Sequence, residues 1–266
     1  VSTSPIPPVS RKDVPRFSSE EHRTSTARAF EAGAKTYSDV RPGYLPAALD
    51  LLGKSAQRIA DIGCGTGKLT AQIAARCDSG TGLVVGVDTS ADMLAQCQVL
   101  LPEVALVRAR AEATGLKDAS FDALTCAQTW HWVDVADASR EFARITTDEG
   151  KVVLLWNTLD VLVPWVHRLS RITHSGDTLR EGFVPEIASP WTITTTVRQR
   201  WVQEIEPVRL HDLMHTRSYW LRANDRTRAK MTNNLDWYLF DHLQLDPRVP
   251  VELPYRLDAF LLEKQR

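Results

Sequence analysis

The stretch Arg58-Ile59-Ala60-Asp61-Ile62-Gly63-Cys64-Gly65-Thr66-Gly67-Lys68 decides how this chain reads. Arg58 to Ile62 has the short apolar character of a buried strand, and Lys68 to Ala75 carries apolar residues at helical spacing. Between them glycine occupies every second position. That arrangement removes the side chains that would hold a ligand off the main chain, and it permits positive φ in a tight turn. Strand, turn and helix in this order form a loop against which a nucleotide-like ligand can lie.

Working outward, Leu83 to Val87 is a second buried-strand run ending at Asp88, about 20 residues beyond the glycines. A carboxylate at that strand end can accept hydrogen bonds from both hydroxyls of a ribose. Asp88-Thr89-Ser90 is also good material for capping the next helix. Val104 to Val107, Phe121 to Ala127 and Lys151 to Asn157 read as three further strands. The strand-helix alternation predicts one parallel sheet with helices on both faces. A ligand then sits beyond the carboxyl ends of the strands, where strand order reverses, so the run Gln128-Thr129-Trp130-His131-Trp132-Val133-Asp134 is placed to face a substrate. Further on, Thr192 to Val197 and Arg200 to Ile205 read as strand or hairpin, and Tyr255 to Leu262 as a closing strand. Between these lies a helical segment, with Leu210, Leu213, Met214, Trp220 and Leu221 in an apolar stripe that contains Arg217.

Dinucleotide folds space their glycines as G-x-G-x-x-G. Here the third glycine comes one residue early, and Lys68 stands in its usual place. This spacing, opened by Asp61, resembles the first motif of class I S-adenosylmethionine-dependent methyltransferases. The entry Ser120-Phe121-Asp122 is familiar from the same family. The Trp130-His131-Trp132-x-Asp134 run, and the segment from Tyr37 through Arg41-Pro42-Gly43-Tyr44, resemble its methyltransferase type 11 and trans-aconitate-methyltransferase-like small-molecule branch. The resemblance implies an α/β, Rossmann-like, doubly wound, mostly parallel seven-stranded sheet. It also implies an antiparallel C-terminal strand pair and a helical insertion over 207–247. The implied cofactor is S-adenosylmethionine, released as S-adenosylhomocysteine. The positions implied to hold it are Asp61, Gly63, Cys64, Gly65, Gly67, Asp88, Thr89, Met93, Ala111, Glu112 and Gln128. One position departs from the pattern: the residue before Ala111, often aspartate in the family, is Arg110. An arginine cannot accept a hydrogen bond from the adenine amino group, so that contact falls to the backbone or to Glu112.

Methyl transfer from a sulfonium asks chiefly for alignment and exclusion of water, and for a base only when the acceptor must lose a proton. A carboxylate acceptor needs none; a hydroxyl usually does. His131 is the first candidate for such a base, with Trp130 beside it, although a histidine between two tryptophans can equally be a packed structural residue. Arg217 either snorkels to the surface or fixes a substrate carboxylate by a charge-assisted bond. All eight tryptophans lie from Trp130 onward, so the large flat side chains able to wall a pocket belong to the second half of the chain. Of these, Trp191, Trp201, Trp220 and Trp237 read as core.

The chain has 266 residues and a formal net charge of −1. It carries no long basic run, so no partnership with nucleic acid is expected. No apolar stretch is long enough to span a bilayer and the start lacks a signal-peptide core, so the expectation is a soluble cytoplasmic protein. Cys64, Cys77, Cys97 and Cys126 lack metal-ligand spacing and read as buried thiols, with no disulfide and no metal. Residues 1–24 read as a mobile tail and 25–266 as a single domain; oligomeric state is not readable. The expected partner is a small, in one reading anionic, molecule. A nicotinamide-dependent oxidoreductase would share the strand-glycine-helix-aspartate frame, but the glycine spacing and the lack of a Tyr-x-x-x-Lys pair count against it. A methyltransferase-like binding module is the alternative outside enzymes. RNA methylation is motivated only by the basic stretch Arg217, Arg222, Arg226 and Arg228, and lacks an Asn-Pro-Pro-Tyr run after the fourth strand.

Overall fold

The computed structural model describes residues 40–77, 82–175 and 179–265. The expected tail over 1–24 and Tyr37 lie outside these. Among the described residues the chain sorts into two compact units, one of Thr158–Pro185 and Arg200–Arg256, the other of 40–157, Glu186–Gln199 and 257–265.

A seven-stranded sheet has the order β3-β2-β1-β4-β5-β7-β6. Its strands are β1 (Arg58–Ile62), β2 (Leu83–Asp88), β3 (Ala105–Arg108), β4 (Phe121–Ala127), β5 (Thr146–Leu159), β6 (Trp191–Ile205) and β7 (Val251–Lys264). The first five pair in parallel, and the sheet is completed by an antiparallel C-terminal pair. Strand order reverses between β1 and β4, which makes their carboxyl ends the crevice of the sheet. The inner strands are near-continuous apolar runs because helices cover both faces. Ile59, Ile62, Leu124, Val153 and Leu154 are almost wholly buried.

Helices follow the strands as the periodicity predicts: α1 (Pro46–Asp50), α2 (Lys68–Ala74), α3 (Ala91–Leu100), α4 (Val135–Ile145) and α5 (Pro164–Ile172). Their starts are set by local chemistry. Ser90 accepts from the Met93 amide at 3.3 Å to begin α3, and Asp134 accepts from the Asp137 amide at 2.9 Å to begin α4. The cap of α3 is therefore Ser90, while Asp88 is left for the glycine loop.

The outer strands differ in detail from the pattern-based expectation. β6 is one continuous strand where two segments or a hairpin were read. Val197-Arg198-Gln199-Arg200 contains no turn residue, and Arg198 is held at 3.0 Å by the buried Asp258. The apolar stripe around Arg217 is not one helix. It is divided into α6 (Leu210–His215) and α7 (Ser218–Arg222), followed by α8 (Asp225–Asp236). Thr216 stops the first by turning its hydroxyl back to the Leu213 carbonyl at 2.7 Å. Trp237, read as core, is 46 % exposed, with the Arg168 guanidinium 6.0 Å from its ring. It stands where α8 passes into a wider π turn, and the cation on its face lets it remain at the surface.

Candidate functional site

The glycine loop is tied down from every side. Gly63 and Cys64 both donate their amides to the Val87 carbonyl, at 2.7 and 3.0 Å. The Gly65 amide donates to Asp88 Oδ2 at 2.9 Å, and the Gly67 amide to the Cys64 carbonyl at 3.0 Å. These four amides are spent within the protein and are not open to a phosphate.

Two carboxylates lie beneath it. Asp61, 1 % exposed, accepts from the hydroxyls of Thr70 on α2 and Thr125 on β4, each at 2.7 Å. Burial, with a smaller push from the charge of Asp88, raises its pKa to about 6 even so. Asp88 also accepts from the Ser90 amide at 2.8 Å; burial pushes its carboxyl up, against the amides that hold it down. Each Asp88 oxygen accepts one of these bonds and keeps a second lone-pair direction for a ligand. Two acidic groups at the loop favour a ligand that carries positive charge over a phosphate-bearing one.

Space is also reserved. A Cβ at Gly65 (φ +54°) would meet nothing within 4 Å, whereas one at Gly63 (φ +73°) would fall 2.2 Å from Thr129 Oγ1. Gly63 is glycine for packing against the end of β4; Gly65 leaves open room above the backbone. Nearby, Thr66 Oγ1 and Asn157 Oδ1 are buried and without a hydrogen-bond partner in the chain. Such atoms are costly unless a ligand satisfies them.

At the other expected cofactor positions, Cys64 and Met93 are buried, Thr89 is exposed and Ala111 is 8 % exposed. Glu112 accepts from the Asp134 amide at 2.9 Å and from Arg110 at 3.3 Å. Burial alone would raise its carboxyl, but these donors hold it below the usual range. Arg110, the departure from the family pattern, thus neutralises Glu112. Gln128 turns the chain out of β4 at φ +54°, a left-handed conformation uncommon outside glycine. It is held there by its amide on the Leu155 carbonyl at 2.9 Å and its side chain on the Asn157 carbonyl. Strain of that kind is retained where surrounding contacts over-determine it.

The turn Trp130–Trp132 follows. Trp130 is 3 % exposed, its indole N–H on the Glu186 carbonyl at 2.8 Å and its ring tilted on Phe142. His131 and Trp132 are half-buried with ring centroids 5.1 Å apart. Trp156 Nε1 donates to His131 Nδ1 at 3.4 Å. Arg217 belongs to the other unit, 4 % exposed, at the N-cap of α7. The neighbouring basic stretch is partly structural, since Arg228 donates to the Trp220 and Leu221 carbonyls at the end of α7.

Sequence reasoning missed Thr70 and Thr125, which hold Asp61, and did not foresee that Thr129 fills the space over Gly63. Lone threonines carry no motif; only the β1–β4 and β1–α2 packing gives them a role. It also missed Gln72 on α2, whose amide pairs with both the N–H and the carbonyl of Tyr44, at 2.9 and 2.8 Å. That staple fastens the Arg41-to-Tyr44 segment to the helix that opens at the glycine loop.

Residues 60–154 match the methyltransferase domain family. An uncharacterized methyltransferase of Mycobacterium tuberculosis is 35 % identical over 236 residues, covering 88 % of this chain and 94 % of its own length. The chain belongs to the class I S-adenosylmethionine-dependent methyltransferases. A trans-aconitate 2-methyltransferase of Afipia carboxidovorans is 36 % identical to this methyltransferase over 102 residues, 37 % of this chain and 38 % of the relative. A structure described as a type II methyltransferase from Anaeromyxobacter dehalogenans shares its fold, with a TM-score of 0.57 at 24 % identity, covering 84 % of this chain and 97 % of that one. The cofactor of the methyltransferase is S-adenosylmethionine, and the residues present fit it. The ligand carries a sulfonium, an ammonium, a carboxylate and a ribose but no phosphate, which suits the two carboxylates at the loop and the buried Thr66 and Asn157 oxygens that have no hydrogen-bond partner among the described residues.

Proposed function

We propose that this methyltransferase methylates a small-molecule acceptor at oxygen, a carboxylate or a hydroxyl, with a carboxylate the better fit. The observation that carries the reading is the aromatic turn Trp130–Trp132 past the end of β4, whose His131 accepts at Nδ1 from Trp156 of β5. Support comes also from the partial likeness to trans-aconitate 2-methyltransferases. Bound S-adenosylmethionine supplies a methyl group on a leaving group that needs no further activation. The protein's part is then to orient the acceptor and keep water out.

In this reading Gly65 gives the cofactor its approach, with Asp61, Gly63, Cys64 and Gly67 shaping the loop. Asp88 receives the ribose hydroxyls, with Thr89 and Met93 beside it. Ala111 and Glu112 border the adenine, and Gln128 closes the site at the end of β4.

The test is transfer of labelled methyl from S-adenosylmethionine to a panel of di- and tricarboxylates, trans-aconitate among them, alongside phenols, alcohols and amines. Alkali-labile product on a carboxylate is the expected result. Label appearing on nitrogen or carbon instead would overturn the oxygen assignment.

A further inference from the structure

Beyond Leu155, the last residue of β5 in register with β4, the chain carries Asn157 to the rim of the crevice. Two neighbours fix it there. The side chain of Gln128, in the turn that leaves β4, donates to the Asn157 backbone carbonyl at 2.5 Å, and Asn157 Nδ2 donates to the Gly43 carbonyl at 2.9 Å. A backbone carbonyl can only accept, so the amide nitrogen is the atom that faces Gly43 and the oxygen of the fork is turned away from it. Tyr44, the next residue, is held through both its backbone groups by Gln72 of α2. The amide is thus oriented from three elements. Asn157 is 4 % exposed, and its Oδ1 is buried with no hydrogen-bond partner among the described residues.

Buried side-chain oxygens are as a rule paired, so one held in a fixed direction without a donor is a contact kept for a ligand. S-adenosylmethionine offers donors at three places: the adenine amino group, the ribose hydroxyls and the ammonium of its aminoacyl arm. The first belongs beside Ala111 and Glu112 and the second at Asp88. Those positions follow β3 and β2, on the opposite side of β1 from β4 and β5. The aminoacyl arm is left to extend across β1 toward β4 and β5, and its only donor is the ammonium.

We propose that Asn157 Oδ1 accepts a hydrogen bond from the ammonium of the cofactor and so positions the aminoacyl arm at the rim between β4 and β5. The inference rests on the cofactor placement given above, with the ribose at Asp88 and the approach over Gly65. The amide stays neutral and the ammonium keeps its proton, so the contact is a charge-assisted bond that fixes direction. One side chain then serves two purposes: Nδ2 holds the Arg41-to-Tyr44 segment and Oδ1 holds the ligand.

Calorimetry on the full chain compares S-adenosylhomocysteine with its deamino analogue, in which hydrogen replaces the amino group. The native protein is expected to bind the analogue about 10–100-fold more weakly. Equal affinity overturns the proposal without recourse to a variant. Asn157→Leu should lose the same factor for S-adenosylhomocysteine while the analogue stays within about threefold of native, so that the discrimination disappears. Asn157→Asp keeps an acceptor while giving up the bond to Gly43, and should retain the discrimination. Equal weakening of both ligands in Asn157→Leu, matched by Gln72→Leu, would mean that the amide acts only through the Gly43 segment, and overturns the contact. A native Kd in Asn157→Leu with a raised KM for the methyl acceptor assigns the oxygen to the acceptor and overturns it as well. Asp88→Ala touches the ribose common to both ligands and should weaken both alike. If it weakens neither, the cofactor placement fails and the inference with it; weakening there beside an unaltered Asn157→Leu overturns the inference alone.

Discussion

Gly63 and Gly65 both adopt positive φ, yet they exclude a side chain for different reasons, and that difference separates folding from binding. A methyl group at Gly63 collides with Thr129 at 2.2 Å, so Gly63→Ala should cost about 2–5 kcal/mol and loosen the end of β4. At Gly65 there is room, and Gly65→Ala should cost only the left-handed backbone penalty, about 1–2 kcal/mol. Its effect should fall instead on affinity for S-adenosylhomocysteine, measured by calorimetry. A folded Gly65→Ala protein with native affinity would remove the cofactor from that space. Asp61 makes a prediction about pH. Its folded pKa is raised from 3.8 to about 6, so the fold favours the protonated form. The associated stability, on the order of 3 kcal/mol, is fully present below about pH 4 and is lost as pH rises through about 6. Urea titrations of the cofactor-free protein across that window should show this loss, and Asp61→Asn should lack it. An identical slope in both proteins would mean that Asp61 titrates normally.

At the scale of elements, the sheet depends on ends as much as on cores. Helix α4 finishes at Ile145 with carbonyls that have no partner inside the helix. Lys264, near the end of β7, serves one of them and the start of β5: its ammonium donates to the Ala143 carbonyl of α4 and to the Thr146 and Thr147 carbonyls, at 3.1, 3.2 and 2.8 Å. Replacing Lys264 by Met keeps the stem and removes the donors, and should lower stability by about 1–3 kcal/mol. An unchanged denaturation midpoint would show that water serves those carbonyls equally well. Such a contact joins residues 117–121 positions apart, and no local pattern announces it. By contrast β1, β2, β4 and α2 were legible because their apolar runs and periodicity are local. β6 was misread as two pieces because its continuity depends on the partner strand rather than on its own residues.

For the whole molecule, the distinguishing property is which ligand it stabilises around. Saturating S-adenosylhomocysteine at about 100 times its Kd should add about 2.7 kcal/mol, a Tm rise of about 5 °C or more for a chain of this length. NADH should add nothing, since the Asp61 and Asp88 carboxylates stand at the loop where its pyrophosphate would lie; a comparable shift with NADH would reverse the assignment. The alternate glycines, the aspartate one strand later and the Trp-His-Trp turn sufficed to establish family, cofactor and sheet, because a ligand that lies on main chain demands residues close together in sequence. What only the tertiary structure decided is how the groups are spent. Asp61 is shared by two threonines from different elements, Glu112 is taken by the start of α4, and His131 accepts from an indole 25 positions away. A residue's type states what it can donate or accept. Only the packing of distant strands determines which of those capacities remain for the substrate.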